Sequence, residues 1–144
     1  MKRQPVVAGR FYEEDPDRLR QQVEEYSVPS AKRSKAIGAM VPHAGLIYSG
    51  SVAGMVYSEL EAPGAFVLIG PNHTGIGARL AIMERGSWEI PTGSMEIDTA
   101  LADEIMRHGC DLELDAEAHR MEHSLEVQLP FIAHHFPDAK IVPI

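Results

Sequence analysis

Apolar residues in this chain fall either into stripes at helical spacing or into short unbroken runs, and the two alternate. Asp15-Pro16 reads as an N-cap followed by proline at the first helical position. Leu19, Val23 and Tyr26 follow on one face, and Val28-Pro29-Ser30 closes that helix. The run Ala36 to Val41 is nearly all apolar, the mark of a strand covered on both faces. A helix is predicted from near Ser49, with Val52, Val56 and Leu60 inward, and Ala65 to Ile69 repeats the buried-strand pattern. Strand, helix and strand in so short a stretch predict a βαβ unit, hence a parallel pair with a right-handed crossover. Leu80 to Met83 suggests a further strand, and Trp88 to Pro91 precedes a turn at Thr92-Gly93. Asp98 caps a helix carrying Leu101, Ile105 and Met106, with Gly109 at its C′ position. From about Glu122, the residues Leu125, Leu129, Ile132 and Phe136 form a last helical stripe that Pro130 should kink or break. Lys140 to Ile144 reads as a buried strand with no polar tail, as in a chain cut through its sheet. The fold expected is α/β, a mostly parallel central sheet flanked by helices.

In such sheets ligands sit beyond the carboxyl ends of the strands. Both strong strand patterns end in proline and histidine with glycine nearby: Pro42-His43-Ala44-Gly45 and Gly70-Pro71-Asn72-His73. Neighbouring parallel strands, spaced about 4.8 Å apart, would bring those ends within roughly 5 to 10 Å of each other. Two imidazoles would then converge, and imidazole is the commonest transition-metal ligand. The bland alternative is a pair of hydrogen-bonded surface histidines. His123, opening the last helix, either reaches the same crevice or caps the helix, and His119 is a weaker candidate of the same kind. Glu122 and Glu126 near that helix start are what the macrodipole favours without any functional role. His108, His134 and His135 sit near helix ends and read as structural. Tyr48 either faces the pocket as a proton donor or packs. There is no G-x-S-x-G elbow, P-loop, Rossmann fingerprint or C-x-x-C pair.

Composition narrows the partners. Thirteen basic against 21 acidic residues in 144 give a formal charge of −8, which argues against a dedicated nucleic-acid binder. The cluster Lys32, Arg33, Lys35 is too short to reverse this and reads as a solvated linker. No apolar run approaches the roughly 18 residues that span a bilayer, and no secretory h-region follows the N-terminal basic residues. The single cysteine, Cys110, excludes an internal disulfide, suits a reducing cytoplasm and reads as a small buried residue.

Four segments, in order, resemble those of the Memo family. Pro42-His43-Ala44-Gly45-Leu46-Ile47-Tyr48-Ser49-Gly50 is similar to its PHAGYxYSG segment, with Leu46 where an aromatic is common. Gly70-Pro71-Asn72-His73 is similar to its GPNH, and Ala8-Gly9-Arg10-Phe11-Tyr12 to its opening AGxFY. Glu122-His123-Ser124-Leu125-Glu126-Val127-Gln128-Leu129-Pro130-Phe131 resembles its EHSLExQLPF helix. The resemblance implies a class III extradiol dioxygenase-like fold, with residues 1–144 as the N-terminal portion of a single Memo-like α/β domain, incomplete in this chain. It implies His43 and His73 as metal ligands, with His123 at or near the same cleft; if the metal is iron or copper in a redox enzyme, His123 and Tyr48 are the expected catalytic groups, as proton shuttle or substrate contacts. The family's third ligand, typically a cysteine, and an Asp/His pair lie downstream of the resemblance; Cys110 matches no ligand position.

The function expected is a metal-dependent oxidoreductase acting on an unknown small molecule. The alternative is a non-catalytic peptide- or ligand-binding module, or a metal-sequestering protein, using the same cleft. Expected partners are a missing C-terminal half or second chain. AMMECR1-like and radical-SAM pathway proteins are implied by the company that microbial relatives keep. An unpaired apolar sheet edge also predicts self-association.

Overall fold

The computed structural model describes residues 1–109 and 111–144, so the reading of Cys110 falls outside the described residues. In chain order the elements are β1 (Lys2–Arg3), α1 (Pro16–Tyr26), α2 (Leu46–Glu59), β2 (Ala65–Leu68), β3 (Ala81–Ile82), β4 (Ser87–Ile90) and β5 (Gly93–Glu96). There follow α3 (Thr99–His108), β6 (Glu113–Leu114), the short α4 (Glu117–Arg120), a 3₁₀ turn (Glu126–Gln128), α5 (Leu129–His135) and β7 (Lys140–Pro143).

The expected α/β character is present, but the described strands form three small sheets rather than one central sheet. Their orders are β1-β4-β5, β2-β7 and β3-β6. Pairings β1–β4, β2–β7 and β3–β6 are parallel and β4–β5 is an antiparallel hairpin. β7 occupies the middle of this arrangement. Successive strand residues face opposite sides, and here Ile141 enters the main core while Val142 packs with Ile82 and Ala102 on the other side. Beyond its pairing with β2, β7 accepts backbone hydrogen bonds from Met83 and Asp98, so both its edges are used. The apolar run Lys140 to Ile144 therefore behaves as its composition predicts.

The run Ala36 to Val41 does not. It forms no strand and bends at Ile37, and Ile37 and Met40 are almost wholly exposed. An apolar run satisfies the strand pattern only if a neighbour takes up its backbone N–H and C=O groups, and the neighbour of β2 is β7 instead. The expected βαβ pair of these two runs is thus replaced by a parallel β2–β7 pair far apart in sequence.

Asp15 caps α1 as expected, its side chain accepting from the N–H groups of Asp17 and Arg18, and Asp98 caps α3 through Leu101 N–H. α2 begins at Leu46, three residues before the predicted start, and turns a different face inward. Gly50, Ala53, Gly54 and Tyr57 are buried, whereas Val52 is half exposed. The cause is small size. A Cβ at position 54 would collide with the Tyr26 carbonyl oxygen, so only glycine lets α1 approach so closely. A helix apolar nearly all round gives periodicity no unique answer, and the glycines decide it. Its outer face leaves Ile47, Tyr48, Val52 and Met55 exposed. Pro130 stands in the first turn of α5, where its missing N–H is harmless, and the preceding turn is 3₁₀ rather than a continuous kinked helix. Gly109 ends α3 in an extended rather than left-handed conformation.

The main core joins Trp88, Phe131, Leu129, Ile132 and Ile141 to Leu19, Val23 and Leu46. No helix among the described residues is long and apolar enough to cross a membrane.

One core-edge histidine gives a pH signature. His135 Nε2 lies 3.0 Å from Ser27 Oγ, and burial, assisted by His134 and Arg33, lowers its pKa from 6.5 to about 4. The neutral ring thus contributes stability that is complete above pH 6.5 and is lost as pH falls through about 4. Urea midpoints are expected to fall across that window, and His135→Gln should flatten part of the slope. An identical slope in the variant would refute this.

Candidate metal centre

Four segments converge beyond the carboxyl end of β2, and the stretch Glu122 to Gln128 organises them. Ser124 Oγ donates to the Pro71 carbonyl at 3.0 Å, holding the loop that carries His73. Gln128 Nε2 donates to the Pro42 carbonyl at 3.0 Å, holding the loop that carries His43. Gln128 is itself fixed by the Tyr57 hydroxyl, which donates to its Oε1 at 3.1 Å and whose own pKa burial raises. Glu126, wholly buried, accepts from the backbone N–H groups of Val6 and Val7, from the Tyr12 hydroxyl at 2.7 Å and from Arg3 at 2.8 Å. That anchors the N-terminal arm, whose Phe11 ring meets His123 edge-on at 4.7 Å. Gly70 allows the close packing: a Cβ at that position would lie 2.6 Å from Leu125 and 2.8 Å from Ser124 Oγ.

The imidazoles of His43, His73 and His123 consequently stand together. Ring centroids are 5.2 Å apart for His43 and His73, 4.7 Å for His73 and His123, and 6.3 Å for His43 and His123. An ion bound at about 2.1 Å by three imidazole nitrogens places each centroid about 3.2 Å away, hence roughly 4.5 to 5.3 Å from its neighbours at octahedral or tetrahedral angles. Two of the three separations fall in that interval, so His43–His73 and His73–His123 are each spaced as ligand pairs, whereas His43 and His123 stand about 1 Å too far apart. Among the described residues, the group whose donor atoms all lie within 4.8 Å of one another is His73, Glu122 and His123, without His43.

Glu122 is the buried charge of the cluster. Its carboxylate accepts from the His73 and Ser124 backbone N–H groups, from His123 N–H and from His73 Nδ1. Burial alone would raise its pKa, but these donors overcome that and bring it down to about 2. Burial lowers the His123 pKa, and His73 and His43 act in the same direction against Glu122. His123 is therefore neutral near pH 7, as a ligand or proton acceptor must be.

The convergence of His43 and His73 is as expected, though loops rather than paired strands produce it. His123 joins them. Tyr48 does not: it lies on the outer face of α2, 81% exposed, and its ring pairs with none of the three imidazoles among the described residues. His119 is buried beside Trp88 with Nε2 unpartnered. His108 bonds Glu104 on the surface of α3, consistent with a structural role. Glu122 and Glu126 are corrections to the sequence reading, because both are buried hydrogen-bond hubs rather than surface charges favoured by a helix dipole. Their signal was present: polar residues interleaved with Leu125, Val127 and Leu129 in a buried stretch must find partners.

A cavity of about 120 Å³ opens beside His43, lined also by Val41, Ile69, Pro71, Ser124 and Gln128. A second, of about 80 Å³, adjoins Glu122 and His119. Both are small beside the roughly 300 Å³ at which small-molecule pockets begin.

Comparison with known proteins agrees with these motifs. The sequence pattern of the family described as Memo-like protein matches residues 3–144. A MEMO1 family protein of Pyrobaculum arsenaticum is 48% identical over 99% of this chain, and one of Methanothermobacter thermautotrophicus is 44% identical over all of it. A third, from Saccharolobus islandicus, is 41% identical. The chain covers 55 to 56% of these relatives' lengths, so it spans little more than half of each. With the family pattern running through nearly every residue and relatives this similar, the chain belongs to the Memo-like family.

Proposed function

We propose that the cluster holds a redox metal, iron or copper, through His43 and His73, and that the protein is a cytoplasmic metal-dependent oxidoreductase with a dioxygenase-like cleft. The 5.2 Å separation of the His43 and His73 rings supports this reading above all else. A bound ion of either kind supplies one-electron and O₂ chemistry. The protein's part is to hold the rings and manage a proton. His123, packed edge-on by Phe11 and neutral, takes a proton from substrate or returns one.

The same reading accounts for the uncovered apolar side chains. Ile37, Met40, Val67 and Ile69, and Ile47, Tyr48, Val52 and Met55 of α2, are all left exposed. The part of the Memo-like domain that this chain does not match would cover them and wall the small cavities into a substrate pocket. The outward position of Tyr48 favours a second reading, a metal-holding protein without turnover.

Anaerobic Fe(II) titration of the chain followed by O₂ uptake with catechol separates them. Binding of one ion with catechol-dependent uptake supports the oxidoreductase. Binding without uptake supports metal holding, and no binding overturns both.

A further inference from the structure

We infer that Glu122 is a positioning residue for the imidazole cluster: its carboxylate accepts a hydrogen bond from His73 Nδ1–H and leaves Nε2 as the nitrogen free to bind a metal. This rests on the metal-site reading for its consequence, but its geometry is independent of any ion. Three backbone N–H groups and the His73 Nδ1 converge on one buried carboxylate. Oε1 accepts from His123 N–H and Ser124 N–H, each at 2.8 Å, and lies 2.9 Å from His73 Nδ1; Oε2 accepts from the His73 backbone N–H.

Each carboxylate oxygen has about two lone-pair positions, so Oε1, with three contacts, is fully committed, and Oε2 holds the His73 backbone N–H. Although one of its oxygens lies within 4.8 Å of imidazole nitrogens of His73 and His123, coordinating an ion through Oε1 would mean giving up a hydrogen bond in a side chain only 4% exposed. Glu122 is therefore the anchor of the cluster and not one of its ligands. An ionised carboxylate can only accept. The Nδ1–H tautomer of His73 faces it favourably, whereas the other tautomer sets a nitrogen lone pair against oxygen. Outer carboxylates that fix a histidine in this way typically change metal affinity by about 10- to 100-fold. Glu122 also accepts from the backbone at both His73 and His123, so one side chain sets the separation of two rings 4.7 Å apart.

The test begins with the metal-free chain. Long-range ¹H–¹⁵N spectra are expected to show His73 as the Nδ1–H tautomer, and an Nε2–H tautomer there would overturn the proposal whatever any variant does. Glu122→Gln puts an amide donor among the N–H groups; it is expected to mix the His73 tautomers and weaken Zn(II) and Co(II) binding by about 10- to 100-fold at unchanged stoichiometry. Glu122→Asp keeps the carboxylate and should recover part of both effects. Unchanged tautomer and affinity in Glu122→Gln would refute the assignment, as would loss of a bound ion without a tautomer change, which would mark Glu122 as a ligand. A wild-type chain that holds the Nδ1–H tautomer yet binds no metal overturns the metal reading and leaves the positioning of the ring in place.

Discussion

Replacing both His43 and His73 with alanine is expected to abolish tight metal binding while leaving the fold intact. Of the three clustered imidazoles only His123 would remain, and one nitrogen with water in the other positions does not hold a divalent ion against solvent. The His73 side chain is 43% exposed, and His43 sits half-buried in a loop that Gln128 holds by the Pro42 backbone carbonyl, so neither substitution removes a core contact. Elemental analysis after loading and dialysis should fall from one ion per chain to none. A second readout follows from linkage: a ligand at 100 times its Kd stabilises the folded state by about 2.7 kcal/mol, so the metal-dependent rise in Tm should vanish in the double variant. Unchanged stoichiometry would count decisively against the site. His123→Ala alone separates its two roles, since a ligand's loss lowers affinity whereas a proton carrier's loss leaves binding unaltered and slows any O₂ uptake.

The histidine pair was legible in the sequence for a reason that survives the failure of the strand prediction. Proline and glycine around His43 and His73 fix sharp turns at the ends of extended segments, and that local chemistry holds whether or not the segments pair. What could not be read was pairing itself. Ala36 to Val41 and Ala65 to Ile69 carry the same apolar signature, but a strand exists only where a neighbour completes its hydrogen bonds, and β7 serves the second run alone. Nor does an apolar pattern identify its own partner, which is why the mostly parallel central sheet is not present among the described strands. α2 shows the same limit for helices: with apolar residues all round, the close approach of Tyr26 to Gly50 and Gly54 selects the buried face. Polar residues at buried positions were the least legible. Glu122, Ser124, Glu126 and Gln128 each reach 49 or more residues along the chain for a partner to the side chain, a distance that no local propensity encodes.

Glu126 should therefore be the most costly single position to change. Its carboxylate meets Arg3 at 2.8 Å with neither side chain more than 4% exposed, and it also satisfies Val6 N–H, Val7 N–H and the Tyr12 hydroxyl. Glu126→Ala leaves a guanidinium buried against Trp88 without its counter-ion, and removing one partner of a buried pair costs about 3 to 5 kcal/mol. A domain with a stability of about 5 to 15 kcal/mol can lose most of its margin to that change. Urea denaturation followed by circular dichroism should show the loss. Adding Arg3→Met to Glu126→Ala removes the stranded charge and should recover part of the stability. Recovery would be incomplete, because the two backbone N–H groups and the hydroxyl still lack an acceptor. The arm carrying Phe11 would loosen as well, so the edge contact with His123 should weaken and line broadening of the His123 ring should appear in NMR spectra of the double variant. A double variant no more stable than Glu126→Ala would mean that lost hydrogen bonds, not the unpaired arginine, account for the cost.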